Sequence, residues 1–389
     1  VSFAYCAPLS KENFLLNPNI VFLNHGSFGA APRRVFEKYQ WWQRELEFQP
    51  VEFLGRRFND LMREARTSLA TYVHAEPDDL VFVPNVTTGL NIVARSLALQ
   101  PGDEILTTDH EYGALDRTWR FMCRKTGAVY KPQAIPLPTP TAADFVERFW
   151  SGVTARTRVI FLSHITSPTA LILPVPEICR RARDAGILSI IDGAHAVGQI
   201  DLNLAELGAD VYSSNLHKWL CCPKGSAFLY ARREIQPFIE PLVVSWGYEA
   251  EKPGASRFID EQEWTGTRDI AAYLTTPEAI HFFEEHAWAH VRAECHRLAQ
   301  YAREQITALT KLTPLSPDSI DWYSQMFSVP LPPCNAAELK TQLYDNYRIE
   351  VPIVVWHNRP LIRVSIQAYN TLDDVEQLVR ALAQLLKSK

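Results

Sequence analysis

Short apolar, β-branched runs recur at residues 80–84, 104–108, 158–164, 188–192, 211–214 and 226–231, and helical patterns at 88–99 and 176–185 lie between them. Gly186 stands just past the second of these patterns, where a helix C-cap belongs. This alternation constrains the fold more than any single motif. Strands linked through helices pair in parallel, because a parallel neighbour is reached only by a long crossover. The chain is therefore predicted to be α/β, with a mostly parallel sheet covered on both faces and a site outside the carboxyl ends of its strands. The proline-rich run 135–140 reads as an extended connector within this unit. Beyond about Thr276 the pattern changes to helical stretches at 277–285 and 287–310, short strands at 326–331, 349–355 and 361–368, and an amphipathic helix at 372–386. That sequence of elements predicts a smaller α+β unit.

At 389 residues the chain is long enough for two or three domains. A net charge of -5 leaves no basic footprint for nucleic acid. No stretch approaches the roughly 18 apolar residues that a membrane helix needs. The start, Val1-Ser2-Phe3-Ala4-Tyr5-Cys6, has no basic residue leading into an apolar segment, so a cytoplasmic protein is expected. Seven cysteines, odd in number and irregular in spacing, predict free thiols, and the adjacent Cys221-Cys222 is too tight for an ordinary bridge. His286 and His290 have the i, i+4 spacing of metal ligands, but Ala287 stands where a zinc-protease helix needs glutamate. With His296 they read as solvated helix positions, and no metal is expected.

Two strand ends carry the chemistry. Ile190-Ile191-Asp192-Gly193-Ala194-His195 closes one predicted strand with a carboxylate, and Ser214-Asn215-Leu216-His217-Lys218-Trp219 closes the next with a lysine. Pyridoxal phosphate needs that pair. The amine condenses with the cofactor aldehyde, and the carboxylate keeps the pyridine nitrogen protonated so that negative charge at a substrate α-carbon is stabilised. An enzyme acting on amino acids follows. His195 can hydrogen-bond the cofactor's phenolic oxygen, and His217 can reach its phosphate.

Four further segments have two readings each. Asn85-Val86-Thr87-Thr88-Gly89-Leu90-Asn91 follows a strand and opens a helix, which suits a bound phosphate and equally suits a threonine N-cap. Asp109-His110-Glu111-Tyr112 offers an imidazole and a phenol that can stack on a ring or move protons; the plain alternative is a solvated loop. Trp264-Thr265-Gly266-Thr267-Arg268-Asp269 reads by itself as a helix cap. Arg363, within Leu361-Ile362-Arg363-Val364-Ser365, is either a bidentate carboxylate clamp or an exposed strand arginine.

In this order, with Asn24-His25-Gly26-Ser27 near the start, the motifs resemble the class V branch of the type I aminotransferase fold, from about Val21 to about Asn370. Within it the likeness is to the isopenicillin N epimerase-like branch, which also holds relatives resembling plant-type L-cysteine desulfhydrases and hercynylcysteine sulfoxide lyases. The resemblance implies the type I pyridoxal phosphate-dependent transferase fold. The expected organisation is a segment 1–20 packing with the small domain, a large cofactor-binding domain 21–276, and a small α+β domain 277–389. By the same resemblance Lys218 binds the cofactor aldehyde and Asp192 the pyridine nitrogen. Thr87, Thr88, Asn215 and His217 hold the phosphate, with Gly266 and Thr267 reaching it from the other subunit of a homodimer. His110 stacks on the cofactor, and Tyr112 is a rival for that task or for proton transfer. His195 takes a position that is glutamine in many relatives, and Asn215 one that is often serine. Arg363 binds the substrate α-carboxylate, assisted by Asn24, His25, Gly26 and Ser27.

Cysteine desulfurases of this family carry a nucleophilic cysteine just before that arginine. Here the stretch 349–357 has none, and Cys334 lies upstream beside two prolines. The expected reaction is removal of an α-proton, with Lys218 as base, followed by reprotonation as in an epimerase or racemase. The alternatives, in order, are loss of a β-substituent by a C–S lyase, amino transfer, and cofactor binding without turnover. The expected partners are a small amino-acid substrate and a second copy of the chain, with neither nucleic acid nor membrane.

Overall fold

The computed structural model describes residues 5–138, 141–254 and 256–387. Residues 1–4 of the start read above, and Thr139 and Pro140 of the connector, lie outside the described residues. Along the chain the strands are β1 (Val21–Phe22), β2 (Leu80–Val83), β3 (Glu104–Thr108), β4 (Val129–Gln133), β5 (Thr157–Ser163), β6 (Leu188–Asp192), β7 (Val211–Asn215), β8 (Ala227–Ala231), β9 (Met326–Pro330), β10 (Ile349–Glu350), β11 (Ile353–Trp356) and β12 (Arg359–Ser365).

Seven of them form one sheet in the order β2-β8-β7-β6-β5-β3-β4. β3 to β7 pair in parallel, and β8 is antiparallel to both β2 and β7. Period-two alternation sorts the core into two layers. Val81, Ile105, Phe161 and Ile190 turn to one face, whereas Phe82, Leu106, Ile160 and Ile191 turn to the other. Burial on both faces is why these strands read as continuous apolar runs. Each such side chain contributes about 1.5–3 kcal/mol of transfer free energy, which makes the sheet a firm platform for the loops at its carboxyl edge.

The apolar-run reading omits β4, whose sequence Val129-Tyr130-Lys131-Pro132-Gln133 is half-exposed at the sheet edge. An edge strand needs no second apolar face and tolerates a proline that a central strand would not. The predicted strand 349–355 is two strands in the structure. Val351-Pro352 breaks it, so that β10 pairs in parallel with β1 while β11 joins an antiparallel sheet ordered β11-β12-β9. Helices Arg33–Phe48, Phe58–Tyr72 and Gly113–Thr126 also lie outside the elements read from the sequence.

The described part of the N-terminal segment runs onto the C-terminal one. Leu9 N–H donates to Ala368 O at 3.0 Å, and the Phe14 ring meets Tyr369 edge-on at 4.8 Å. Among the described residues no disulfide joins any of the seven cysteines. Contrary to the solvated reading, His296 is buried and hydrogen-bonds Ser324 O through Nδ1 at 3.0 Å, because helix Trp288–Thr310 turns Trp288, Val291, Cys295 and Leu298 inward and carries His296 with them. Among the described residues no cluster suits a metal ion, and no helix is long and apolar enough to cross a membrane.

Candidate active site

Lys218 lies on the loop that joins β7 to β8. That loop is tied to itself: Leu216 N–H and His217 N–H both donate to Ser226 O, at 3.1 and 3.3 Å, and Cys222 N–H donates to Leu216 O at 3.1 Å. Two glycines let other segments press against its backbone. A Cβ on Gly29 (φ +68°) would lie 1.9 Å from His217 O, and one on Gly198 (φ +85°) would lie 2.4 Å from Trp219 O. His25 supports the same loop. Its Nε2 bonds Lys218 O at 2.9 Å and its Nδ1 bonds Tyr369 OH at 3.0 Å, while burial pushes the ring down to about 3 and keeps it neutral. The imidazole expected near the substrate thus holds the lysine backbone instead.

Asp192 ends β6 beside β7 and is buried. Its Oδ1 accepts from Ala194 N–H at 2.8 Å, and burial pushes the carboxyl above its usual range, with Lys218 opposing the shift. Burial in turn holds the Lys218 amine below the usual lysine range, Arg363 adds to this, and Asp192 opposes it. Each group is therefore short of partners for its charged form. A ligand bringing a pyridine nitrogen to Asp192 and an aldehyde to Lys218 fits that shortage. His195 Nε2 lies 3.2 Å from Lys218 Nζ, and its Nδ1 accepts from Trp219 Nε1–H at 3.3 Å.

The expected phosphate cradle is more divided. Asn85, not a threonine, caps helix Val86–Ser96, with Oδ1 accepting from Thr88 N–H at 2.9 Å and from the Thr88 hydroxyl at 3.2 Å. Asn215 Oδ1 accepts from Val86 N–H at 3.1 Å, which leaves its amide N–H groups to face a ligand. The Thr87 hydroxyl has no hydrogen-bond partner among the described residues. His217 donates Nδ1–H to Ser226 O at 2.9 Å, and burial pushes the ring down to about 4. Nε2 then holds a lone pair, so an anion there requires a protonated ring, which burial opposes and the anion's own charge favours.

Arg363 is not the exposed strand arginine of the second reading. Buried in β12, it donates from Nη1 to Ser167 O (2.8 Å) and Ser167 Oγ (3.2 Å) and from Nη2 to Ser27 Oγ (3.0 Å). Its Nε has no partner among the described residues, and burial pushes the guanidinium down to about 10. A buried cation held only by neutral oxygens suits an incoming carboxylate. Of the Asn24–Ser27 motif, Ser27 alone touches this arginine. Asn24 accepts from Ser27 Oγ and donates to Glu350 Oε1 at 2.9 Å, and a Cβ on Gly26 would lie 2.7 Å from Met326 Sδ.

His110 is fully buried rather than solvated. Nε2 faces Ile135 O at 3.2 Å, Nδ1 faces Thr169 Oγ1 at 2.9 Å, and the ring lies 4.5 Å from that of Trp356. A carbonyl only accepts, so Nε2 carries the proton of a ring that burial keeps neutral. Tyr112 is 47% exposed and lies within electrostatic reach of Arg363. Glu111, Ser167 and Thr169 had escaped the sequence reading, although all follow predicted strand ends. Glu111 accepts from Thr108 Oγ1 at 2.6 Å and from Ser163 N–H and Oγ at 2.9 and 2.6 Å, and burial pushes its carboxyl up to about 8. Gly266 (φ +107°) and the exposed Thr267 form no hydrogen bond with the lysine loop of their own chain among the described residues.

A mostly parallel sheet that brings a half-buried lysine and a buried aspartate to one edge, where they meet an arginine of the small antiparallel sheet that lacks an anionic partner among the described residues, defines a pyridoxal phosphate-dependent enzyme of the type I transferase fold. Sequence comparison agrees. The chain belongs to the class V aminotransferase family, which it matches over residues 28–378. It is 36% identical to isopenicillin N epimerase of Amycolatopsis lactamdurans, over 97% of this chain and 98% of that one. It is 27% identical to a probable chloroplastic L-cysteine desulfhydrase of Arabidopsis thaliana, over 95% of this chain and 84% of that one. The fold is shared with the cysteine desulfurase of Thermococcus onnurineus NA1 at a TM-score of 0.81 and 20% identity, over 97% of this chain and 98% of that one.

Proposed function

We propose that this enzyme inverts the α-carbon of an amino-acid substrate by removing and returning its proton. Pyridoxal phosphate supplies the electron sink when bound. Lys218 holds the cofactor aldehyde and takes the α-proton, a task that its depressed basicity suits at neutral pH. Asp192 keeps a proton on the pyridine nitrogen. Thr87, Thr88, Asn215 and His217 surround the phosphate, with Gly266 and Thr267 added by a second subunit. His195 donates to the phenolic oxygen, and His110 supplies the stacking ring, since both its nitrogens are already bonded. Tyr112 carries the proton to the opposite face. Tyr112 is part-exposed and within electrostatic reach of Arg363, where the substrate carboxylate docks.

The observation that carries this reading is Arg363, a buried guanidinium without an anionic partner in the same site as Lys218. Close identity to isopenicillin N epimerase along nearly the whole chain favours inversion over elimination. The second reading, a C–S lyase, draws on the more distant desulfhydrase relatives. A persulfide-forming route lacks its nucleophile, because the segment before Arg363 is the hairpin β11–β12 without a cysteine. We further propose a cytoplasmic homodimer organised as segment 1–20, large domain 21–276 and small domain 277–389. Leu9 and Phe14 contacts with residues 368 and 369 support the first of these divisions.

The test is a screen of amino acids in deuterated water, following α-deuteration, the configuration of the product, and release of pyruvate, ammonia or sulfur species. Deuterated product of opposite configuration is expected. Release of elimination products with no inverted centre would establish the lyase reading instead.

A further inference from the structure

We infer that Trp219 is a positioning residue whose indole N–H fixes His195 as the Nε2–H tautomer and aims the ring's donor at Lys218 Nζ, an inference that rests on the reading of Lys218 as the cofactor-binding amine. An indole N–H donates and cannot accept. It lies 3.3 Å from His195 Nδ1, and both residues are buried, so Nδ1 holds a lone pair. Burial, with the nearby charge of Arg363, keeps this ring neutral, and its single proton therefore sits on Nε2. The indole is held in place. It is fully buried, packs on the His25 ring at 5.0 Å, and a Cβ on Gly26 would already meet it at 3.4 Å.

The consequence reaches the lysine. Nε2–H faces Lys218 Nζ at 3.2 Å, and two donors facing each other in a buried site leave both unsatisfied. The contact is satisfied when Lys218 is a free amine that offers its lone pair. The opposite arrangement, an ammonium donating to Nε2 with the proton on Nδ1, sets Nδ1–H against the indole N–H. Trp219 thus biases Lys218 toward the form that attacks an aldehyde. The other charged groups acting on the amine are Asp192 at the end of β6, which favours the ammonium, and Arg363 of β12, which opposes it. His217, beside the lysine in sequence, is kept neutral by burial.

The test uses cofactor-free protein labelled with 15N-histidine, with the His195 signals assigned by His195→Gln. The wild type is expected to show His195 as the Nε2–H tautomer at neutral pH. In Trp219→Phe, which removes the donor and keeps a ring, that preference should be lost. The pH midpoint for reductive methylation of Lys218, followed by mass spectrometry, should rise by about one unit, a roughly tenfold fall in free amine at neutral pH. An unchanged tautomer and an unchanged midpoint in the folded variant would overturn the proposal. If the phenyl variant does not fold, the benzothiophene analogue of tryptophan at 219 keeps the bicyclic shape, lacks only the N–H, and is read in the same way. The cofactor role of Lys218 is tested separately. A borohydride-reducible adduct retained by Lys218→Ala would refute that role while leaving the tautomer measurement intact.

Discussion

Arg363→Lys keeps the positive charge and removes the planar fork, so it separates charge from geometry at the carboxylate site. The expected result is a fall of about 10²-fold in kcat/KM, equivalent to about 2.7 kcal/mol, carried mainly by KM, with the visible absorption of lysine-bound cofactor unchanged. Loss of that absorption in step with activity would move Arg363 from substrate binding to cofactor retention. Glu111 makes a prediction about pH. Burial raises its folded value to about 8 from an ordinary 4.5, so the folded protein keeps a proton that the unfolded chain has released. Its contribution to stability is full below the unfolded value and declines as pH rises through about 8. Glu111→Gln can keep bonds to Thr108 and Ser163 without titrating, so its stability relative to wild type should improve from about pH 5 to about pH 8, read by urea unfolding. A flat difference would mean that Glu111 is ionised in the folded state. The proximity of Lys218 and Asp192 was legible in the sequence because the roles proposed for them need only a residue type at a strand end. The contacts of His25, Glu111 and Trp219 could not be read there, since they depend on which nitrogen or oxygen faces which neighbour across the fold.

At the scale of elements, helix Val86–Ser96 shows how one terminus can serve two purposes. Asn85 Oδ1 caps Thr88 N–H, and the first turn of the helix also carries Thr87, proposed to hold the phosphate. Asn85→Ala should cost about 1 kcal/mol of stability through loss of the cap. Asn85→Asp should preserve stability, because aspartate caps equally well, yet weaken pyridoxal phosphate binding by charge repulsion. Unfolding curves and cofactor titration of the two variants distinguish these effects, and equal cofactor affinity in Asn85→Asp and wild type would remove the phosphate from this helix. The buried parallel strands were legible because burial on both faces writes an uninterrupted apolar run. β4 was not, since an edge strand with Pro132 carries no such run. The break between β10 and β11 was hidden for a different reason. Ile349 to Val355 is apolar enough to look continuous, and only the parallel partner β1, more than three hundred residues away, reveals that Val351-Pro352 turns the chain from one sheet to another.

On the scale of the whole molecule, several large apolar side chains stand exposed on a lone chain. Phe238, Val244 and Trp246 are 68%, 67% and 80% exposed, and Phe48 is 88% exposed. Side chains this apolar suit burial against a second copy of the chain, as the proposed homodimer would provide. Thr267 is also exposed and hydrogen-bonds nothing in its own chain's lysine loop, as a residue serving a second subunit would. If each site takes Lys218 from one chain and Thr267 from the other, Lys218→Ala and Thr267→Asp disable sites from opposite sides. A heterodimer of the two variants then has one site bearing both substitutions and one bearing neither. Random exchange between equal amounts makes half the dimers heterodimers, so about one quarter of wild-type activity should return from two preparations that are each inactive. Subunit exchange is verified by native mass spectrometry with distinct tags, and activity is measured as α-proton exchange. Confirmed heterodimers without recovered activity would place Lys218 and Thr267 in the same chain's site, and a fully active monomer would remove the second subunit from the site altogether.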